Sequence, residues 1–400
     1  MKTIGIIREG KFPPDYRVVL NPDQCRIISR DFPLEIVVES SPNRCFSDAA
    51  YREAGVPVGN DISGCDILLG IKEVPAHQLL YGKTYLFFSH TIKEQPANRH
   101  LLRTVVEKGI RLIDYELITD PGGKRLIAFG EFAGMVGAHN ALYTWGMRSG
   151  QFDLPRMYSL SGYREASALY KKFQWPPLKI VLTGTGRVGN GAARVLADMG
   201  FQRMEPDKFL STSPSIPAFV QLRSSDYLVH EAGKSFDRED FHRRPASYRL
   251  NFQPWLESAD IFINGIFWDY RAPVFFTRED MLSPSFRVRV IADLTCDLAP
   301  RSSVPSTLRA STISDPVYSY RPDTGIESGP LDPRGIAVMA IDNLPNEIAR
   351  DASTYFGERF LQQVLPDLLA GDTPMIRRAT IAEKGALTPA FSYLSDYIAI

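Results

Sequence analysis

The sequence predicts two doubly wound α/β domains with a cleft between them. In both halves of the chain, short apolar segments rich in β-branched residues alternate with helical segments, as in largely parallel sheets. A glycine-rich turn between a strand and a helix stands near the middle of the chain. The length of 400 residues is sufficient for two domains.

The composition excludes two classes of partner. Lys+Arg and Asp+Glu both number 46, so no global charge attracts nucleic acid or an anionic membrane. No run of about 18 apolar residues is present, and the apolar run at residues 3–7 is too short for a signal peptide. We therefore expect a protein without membrane or nucleic-acid partners.

The cysteine pattern argues against a metal site. Cys25, Cys45, Cys65 and Cys296 are scattered and form no C-x-x-C pair. No His/Cys/Asp/Glu cluster shows ligand spacing either, so we expect no bound metal. Unpaired cysteines suit a reducing compartment, and we expect a cytoplasmic protein.

The first half contains the elements of the first predicted domain. Asn21 and Pro22 are a cap and a first-turn residue for a helix over 22–30. Further helices are predicted at 48–54 and 98–108, and strands at 3–7, 34–39, 66–71, 84–89 and 111–116. Residues 130–146 are predicted to form a helix whose small side chains allow close packing against another backbone, and we expect this helix to cross between the domains.

Ionisable side chains follow several predicted strands of this domain. Lys72 and His90 each come directly after a buried strand, and residues 114–116 (DYE) end another. Ligands of such sheets bind beyond the carboxyl ends of the strands. A lysine beside other cations has a lowered pKa and exchanges protons near neutral pH. Taken singly, a solvated lysine and a structural histidine remain alternatives.

Three further cations are candidates for binding anions. Arg17 and Arg125 lie in polar segments and can hold carboxylates through two hydrogen bonds. Lys93 follows His90 by three positions. Each of them alone would be interpreted as a solvated surface charge.

The glycine-rich turn predicts dinucleotide binding. A strand at 179–183 is followed by Gly184, Gly186 and Gly189, with Arg187 and Val188 between them, and by a helix over 191–199. Strand, G-x-G-x-x-G and helix together form the turn on which a Rossmann-like domain binds pyrophosphate. An ordinary glycine-rich turn is the alternative.

The choice between NAD and NADP depends on the next strand, predicted at 201–205. Glu205 lies about 20 residues beyond Gly184, where an acidic residue binds the ribose hydroxyls of NAD. Arg203 would instead suit the 2′-phosphate of NADP. The pattern favours NAD and leaves NADP possible.

The remaining segments complete the predicted organisation. Residues 211–255 show little periodicity and are interpreted as an insertion. Strands are predicted at 259–265, 288–293, 311–313 and 336–341, and helices at 159–172, 349–365 and 389–398. We place the substrate domain at 1–140, joined by C-terminal helices at 345–400, and the NAD(P)-binding domain at 178–344.

Short motifs along this chain resemble one family. The sequence is similar to the saccharopine dehydrogenase (lysine-forming) and lysine–ketoglutarate reductase family, within the wider alanine dehydrogenase/transhydrogenase-like group. Besides the glycine turn, the resembling segments are YRVVLNP at 16–22, GIKEVP at 70–75, FFSHTIK at 87–93, RLIAFG at 125–130, FAG at 132–134, ADIFIN at 259–264, IADLTCD at 291–297, IDNLP at 341–345 and RDAS at 350–353.

The resemblance implies a reversible reductive amination. Lysine condenses with 2-oxoglutarate through its ε-amino group, and hydride from a nicotinamide reduces the imine to saccharopine. Lys72 and His90 would then be the acid–base pair. The resemblance also places Arg17, Lys93, Arg125 and Phe129 around the substrate, and Asp342 beside the nicotinamide. It offers no counterpart for Glu205, which is expected from its spacing alone. The full set of expected cofactor-binding residues is Gly184, Gly186, Arg187, Val188, Gly189, Glu205, Asp293, Asp342 and Leu344.

Departures from the fungal members leave alternatives open. Val188 and Gly265 stand near the places of two fungal cysteines, and the segment 211–255 looks more like the reductase domain of the bifunctional animal enzyme. An alanine dehydrogenase or related amino-acid dehydrogenase is the rival enzyme, and a nucleotide-sensing regulatory protein is the non-enzyme rival. The expected partners are small amino acids and 2-oxo acids. The direction of the reaction, the exact substrate and homo-oligomer formation stay open.

Overall fold

A computed structural model describes residues 2–213 and 215–399. The chain divides into two compact units. The first unit is discontinuous and comprises Met1–Phe129 and Ala349–Ile400, and the second comprises Gly130–Ile348. Each unit contains a sheet of eight strands flanked by helices.

The described strands are numbered in chain order. They are β1 Lys2–Ile6, β2 Leu34–Glu39, β3 Val58–Gly59, β4 Ile67–Leu69, β5 Thr84–Phe87, β6 Arg111–Asp114, β7 Lys179–Thr183, β8 Gln202–Arg203, β9 Ala218–Leu222, β10 Leu228–His230, β11 Tyr248–Leu250, β12 Ile261–Asn264, β13 Val290–Asp293, β14 Tyr318–Arg321, β15 Ile326–Ser328, β16 Ile336–Met339, β17 Thr380–Glu383 and β18 Ala386–Leu387.

The described α-helices are numbered in the same way. They are α1 Pro22–Asp31, α2 Asp48–Glu53, α3 Arg99–Glu107, α4 Gly130–Ser149, α5 Tyr163–Tyr170, α6 Arg187–Asp198, α7 Pro206–Ser211, α8 Arg238–Arg243, α9 Gln253–Ser258, α10 Arg278–Met281, α11 Ala349–Gln363, α12 Leu365–Ala370, α13 Pro374–Ala379 and α14 Ser395–Ala399.

The sheet of the first unit has the order β18-β17-β6-β5-β4-β1-β2-β3. The strands β1 to β6 pair in parallel, and the C-terminal hairpin of β17 and β18 adds an antiparallel edge beside β6. Helix α1 begins as the sequence predicts, because Asn21 and Gln24 form a capping box and Pro22 occupies the first turn. This order makes β1, β4 and β5 direct neighbours.

The sheet of the second unit has the order β15-β14-β16-β13-β12-β7-β9-β8. Along this order the strands from β16 to β8 are parallel, and β14 and β15 form an antiparallel edge. The order in which strands are added to the sheet reverses at β7: β9 and β8 lie on one side of it, and β12, β13 and β16 lie on the other. The predicted α/β class with Rossmann-like sheets is therefore confirmed for both units.

Small residues bring two helices of the second unit into backbone contact. A Cβ atom on Gly134 of α4 would lie 1.8 Å from the carbonyl oxygen of Val188 on α6. A Cβ atom on Gly191 of α6 would lie 2.1 Å from the carbonyl oxygen of Glu131. The close packing predicted for the helix that starts at Gly130 is confirmed, and only glycine fits at these crossings.

The prediction that residues 211–255 are an insertion without a core strand is wrong. Strand β9 lies within this segment, is buried along its length, and pairs directly with β7. Its sequence, AFVQL, is short and interrupted by Gln221, so it forms no clear apolar run. The segment also contains the antiparallel pair of β10 and β11.

Two further expectations need correction. Ser311 forms only an isolated parallel bridge with Ile341, so no strand extends over residues 311–313. Residues 389–398 begin as a 3-10 helix over Pro389–Leu394, and α14 comes after it. The pairing of β17 with β6 was not predicted, because both strands are short and distant in sequence.

The helix crossing predicts the effect of one added methyl group. Gly134→Ala should lower the free energy of unfolding by about 1–3 kcal/mol or more, because the new Cβ overlaps a backbone oxygen that cannot turn away. Denaturant unfolding measures this loss. Gly329→Ala is the matched control, since a Cβ there enters open space. Equal stabilities of the two variants would contradict the crossing.

Candidate active site

The sheet order gathers the predicted acid–base residues of the first unit. Lys72 and Glu73 come after β4, His90 comes after β5, and the loop holding Asp15 and Arg17 comes after β1. Because β5, β4 and β1 are adjacent and parallel, these side chains emerge at one edge of the sheet.

His90 is paired with a carboxylate. Its Nδ1 lies 2.6 Å from Oε1 of Glu73, and Lys11 Nζ lies 3.0 Å from Oε2 of the same side chain. Burial raises the pKa of Glu73, but the hydrogen bond and charge of His90, with the charge of Lys11, outweigh it and bring that pKa to about 2. Glu73 is therefore ionised at neutral pH.

The Glu73 carboxylate fixes the orientation of the imidazole. A carboxylate only accepts hydrogen bonds, so Nδ1 of His90 carries a proton and Nε2 is the nitrogen that can exchange one with a ligand. The backbone of His90 has a φ of 52°, in the left-handed region that few non-glycine residues adopt.

Lys72 has an environment that favours its neutral amine. Burial lowers the pKa of Lys72, and the nearby charge of Arg17 lowers it further, while Glu73 partly opposes both effects. The direction agrees with the expectation from the sequence. A lysine with a lowered pKa can act as a proton acceptor near neutral pH.

Glu9 holds the backbone that presents Lys72. Its Oε1 accepts a hydrogen bond from the amide of Ile71 at 2.6 Å, and its Oε2 accepts one from the amide of Lys72 at 2.9 Å. Burial, together with repulsion from Asp15, raises the pKa of Glu9 to about 7, although the two amides oppose this shift. No sequence signal identifies Glu9, because it lies in a charged segment with no motif of its own.

Arg17 is held by Asp15 and by an aromatic ring. Its Nε donates to Oδ1 of Asp15 at 2.9 Å and its Nη2 donates to Oδ2 at 2.6 Å, while both residues are at most 4% exposed. The guanidinium carbon also lies 4.3 Å from the ring centroid of Phe129, which stacks on Phe356 at 4.8 Å. Arg17 and Phe129 therefore belong to one rigid group.

The other predicted cations lie in different surroundings. Arg125 forms an ion pair with the buried carboxylate of Glu116 and remains partly exposed. Lys93 is exposed, in the segment after His90. The structure therefore supports a shared environment for Lys72, His90, Arg17 and Phe129, and the roles expected of Arg125 and Lys93 stay predictions.

The glycine turn of the second unit has the geometry that a pyrophosphate requires. Gly184 has a φ of 95°, and a Cβ there would lie 2.5 Å from the carbonyl oxygen of Gly265. A Cβ on Gly189 would lie 2.0 Å from the carbonyl oxygen of Gly184, whereas one on Gly186 would enter open space. Helix α6 begins at Arg187, directly beyond that open position. These residues fit a dinucleotide phosphate at the helix N-terminus.

Asp293 lies in a buried hydrogen-bonding network at the ends of β7, β12 and β13. It is fully buried and accepts hydrogen bonds from Asn264, Thr295 and Thr307 at 2.7–3.0 Å. Asn264 in turn accepts one from Thr183. Burial raises the pKa of Asp293, and the hydrogen bonds oppose that shift. Asp293 therefore braces the three strand ends.

The other expected cofactor residues differ in exposure. Arg187 and Glu205 are exposed, Val188 is half-buried in the first turn of α6, and Glu205 precedes α7 as its cap residue. Asp342 is exposed after β16, and Leu344 is buried. Among residues 2–213 and 215–399, no group of three His, Cys, Asp or Glu side chains is arranged to hold a metal ion. Within those ranges, no helix combines the length and apolarity needed to span a bilayer.

Comparisons with known proteins agree with the resemblance seen in the motifs. Residues 5–136 match the family model of the alanine dehydrogenase/PNT N-terminal domain. Alpha-aminoadipic semialdehyde synthase of Arabidopsis thaliana is 29% identical over 438 residues, which cover 98% of this chain and 41% of the relative. The chain therefore spans less than half the length of that relative.

A fungal relative matches along most of its length. The saccharopine dehydrogenase [NAD(+), L-lysine-forming] of Emericella nidulans is 27% identical over 380 residues, covering 90% of each chain. The chain is related to these two groups of proteins. The predicted resemblance is confirmed.

A solved structure shares the fold. An L-alanine dehydrogenase superposes with a TM-score of 0.65 and 16% sequence identity, covering 99% of both chains. This likeness confirms the predicted Rossmann-like architecture of the chain.

The raised pKa of Glu9 predicts a pH dependence of stability. Since its pKa rises from 4.5 to about 7 on folding, the folded state binds this proton more tightly, and the stabilisation present at low pH is lost as the pH rises through about 7. Because Glu9 keeps some solvent exposure, the loss should be about 1–3 kcal/mol.

The measurement compares wild type with Glu9→Gln by denaturant unfolding at about pH 5 and about pH 8. The wild type should lose stability relative to the uncharged variant at the higher pH. Glu35→Gln, which removes an exposed carboxylate on β2, is the control. Parallel pH curves for wild type and Glu9→Gln would show that Glu9 titrates normally.

Proposed function

We propose that this chain catalyses the reversible, NAD(P)-linked interconversion of saccharopine with L-lysine plus 2-oxoglutarate. The observation that carries the proposal is that one sheet edge presents both a lysine of lowered pKa, Lys72, and a carboxylate-oriented imidazole, His90. The names of the relatives support the same reaction, and the fungal relative matches along nine tenths of both chains. We assign the chain to the oxidoreductases that act on CH–NH bonds.

Two proton-transfer groups suit this chemistry. Attack of the lysine ε-amine on the ketone gives a carbinolamine, which must lose water to become an imine. We assign one of Lys72 and His90 to the secondary amine and the other to the water and carbinolamine steps. In His90 the exchanging atom is Nε2, since Nδ1 faces Glu73.

The cations would recognise the carboxylates of the substrates. Saccharopine carries several carboxylates, and Arg17, Lys93 and Arg125 are the residues we propose to bind them. The planar guanidinium of Arg17 is fixed by Asp15 and Phe129, so it loses little side-chain freedom when it binds. Phe129 would contribute its ring edge to the aliphatic part of the substrate.

The second unit would bind the nicotinamide dinucleotide. When bound, the cofactor donates hydride to the imine or accepts it from saccharopine. Gly184, Gly186 and Gly189 give the phosphates access to the backbone at α6, with Arg187 and Val188 in the first turn. Asp342 and Leu344 are proposed to lie near the nicotinamide, and Asp293 to brace the strand ends beneath it.

Alanine dehydrogenase activity is the second candidate. The family model that matches residues 5–136 includes that enzyme class, and the same lysine, histidine and arginine would serve its chemistry. It requires ammonia in place of the lysine amine. The two activities are separated by their substrates.

Turnover with matched substrates tests the proposal. Oxidation of NADH or NADPH should depend on lysine and 2-oxoglutarate together, because only their condensation gives the reducible imine. Absorbance at the nicotinamide band measures it. Each substrate alone is the control. Oxidation with pyruvate plus ammonia instead would favour the alanine dehydrogenase alternative.

The acid–base assignment predicts the behaviour of two variants. Lys72→Met and His90→Gln should lower kcat by about 10²–10⁴-fold, because each removes a proton-transfer group, while cofactor affinity stays within about twofold. Steady-state kinetics and a fluorescence titration with reduced cofactor measure the two quantities. His100→Gln removes an exposed histidine of α3 and should change neither. Near-normal turnover in both Lys72→Met and His90→Gln would contradict the assignment of these residues as the acid–base pair.

A further inference from the structure

The sheet order of the second unit changes which residues stand beside the glycine turn. On the side of β7 opposite β12, the neighbour of β7 is β9, with Thr183 paired to Leu222. The amide of Gly184 donates to the carbonyl oxygen of Leu222 at 3.1 Å. The carboxyl end of β9 therefore lies directly beside the first glycine of the turn.

A side chain of β9 also ties this strand to the turn. Nε2 of Gln221 donates to the carbonyl oxygen of Gly184 at 2.9 Å and to Oδ1 of Asn190 on α6 at 3.0 Å. The strand end, the glycine turn and the first part of α6 thus form one hydrogen-bonded group. The residues directly after Leu222 are held at the point where the sheet order reverses, which is where dinucleotides bind in such sheets.

The strand that carries Glu205 lies farther away. Strand β8 is the outermost strand and pairs with β9, with Gln202 opposite Ala218. Glu205 comes after β8. Because β9 lies between β8 and β7, the axes of β8 and β7 are two strand spacings, or about 10 Å, apart. The sequence spacing predicts Glu205 for the ribose because β8 is the next strand after β7 in the chain. In the sheet, however, the neighbour of β7 is the later strand β9.

The residues beyond β9 present a cation and two hydroxyl groups. Arg223, Ser224 and Ser225 come directly after Leu222, and Arg223 is exposed. Among the residues that the structure describes, no carboxylate forms an ion pair with Arg223. The one nearby acid in sequence, Asp226, accepts a hydrogen bond from the Arg223 amide at 2.7 Å through Oδ2, and its Oδ1 lies 3.5 Å from the Ser225 hydroxyl.

We propose that Arg223, with Ser224 and Ser225, binds the 2′-phosphate of NADP(H) and makes this chain prefer it over NAD(H). An arginine and hydroxyl groups at the switch point fit a dianionic phosphate, and the nearest carboxylate in the sequence, Asp226, is hydrogen-bonded to the backbone of the same loop. This inference rests on the proposed function only in requiring an adenine dinucleotide at the glycine turn.

Two small probes isolate the 2′-phosphate. 2′,5′-ADP and 5′-AMP share adenosine and a 5′-phosphate and differ only at the 2′ position. Isothermal titration of the full chain should give at least ~10-fold tighter binding of 2′,5′-ADP. Titrations with NADPH and NADH, monitored by their fluorescence, should show the same order.

Variants locate the contact. Arg223→Ala should weaken 2′,5′-ADP ~10–100-fold and leave 5′-AMP unchanged, and Arg223→Lys should restore part of the loss because it keeps the charge. Arg289→Ala removes an exposed arginine that lies directly before β13, at the opposite edge of the same sheet, and should affect neither probe. Thermal unfolding of each variant establishes that it is folded.

Three results would overturn the proposal. They are equal binding of the two probes by wild type, an unchanged affinity of Arg223→Ala for 2′,5′-ADP, and an equal loss of both probes in that variant, which would assign Arg223 to the structure of the loop. Each of these leaves the proposed reaction standing, and the first would leave it with no preference for NADP over NAD. If the wild type binds neither probe, the glycine turn is not a dinucleotide site. Only that outcome also contradicts the proposed function.

Discussion

Parallel strands end at the same edge of their sheet, and both candidate sites depend on this constraint. In the first unit, the adjacency of β1, β4 and β5 collects a lysine, a histidine, an arginine and their carboxylate partners from segments far apart in the sequence. In the second unit, β7, β9, β12 and β13 bring together the glycine turn, Gln221 and the buried network of Asn264 and Asp293. Helices α4 and α6 of the second unit pack closely because Gly134 and Gly191 have no Cβ at their crossing.

Electrostatic pairing gives the first unit its chemistry. Glu73 forms ion pairs with His90 and Lys11, Asp15 with Arg17, and Glu116 with Arg125. A protein of zero net formal charge can therefore keep several fixed cations at one edge without strong repulsion. Neighbouring carboxyl groups also differ in proton affinity, since the partners His90 and Lys11 lower the pKa of Glu73 to about 2, whereas burial raises that of Glu9 to about 7. Such divergence among adjacent groups is what acid–base chemistry at neutral pH requires.

The sequence was sufficient for the fold class, for most strands of the parallel sheets and for the positions of Lys72 and His90, because an ionisable residue directly after an apolar run is a local signal. It was insufficient for residues whose roles depend on contacts formed only in the folded structure. Glu9 acts through amides some sixty residues away, and Asp15 is identified only by the orientation of Arg17. Strand β9 was missed because Gln221, which ties the strand to the glycine turn, interrupts its apolar run. A signal for Glu73 existed, since it stands beside Lys72, but its partner His90 lies 17 residues further on and is brought to it by the pairing of β4 and β5.

The discontinuity of the first unit has a consequence for how the chain is made. Strand β6 forms its antiparallel pair with β17, which the ribosome synthesises only after the entire second unit. The second unit is continuous, so it can complete its sheet while the first still exposes an open strand edge. Closing that edge joins segments separated by a long stretch of chain, which makes it a slow, entropically costly step. The nascent protein therefore passes through a stage in which its acid–base residues are already synthesised while the sheet that positions them is incomplete, and chaperone binding at this stage would protect the edge of β6.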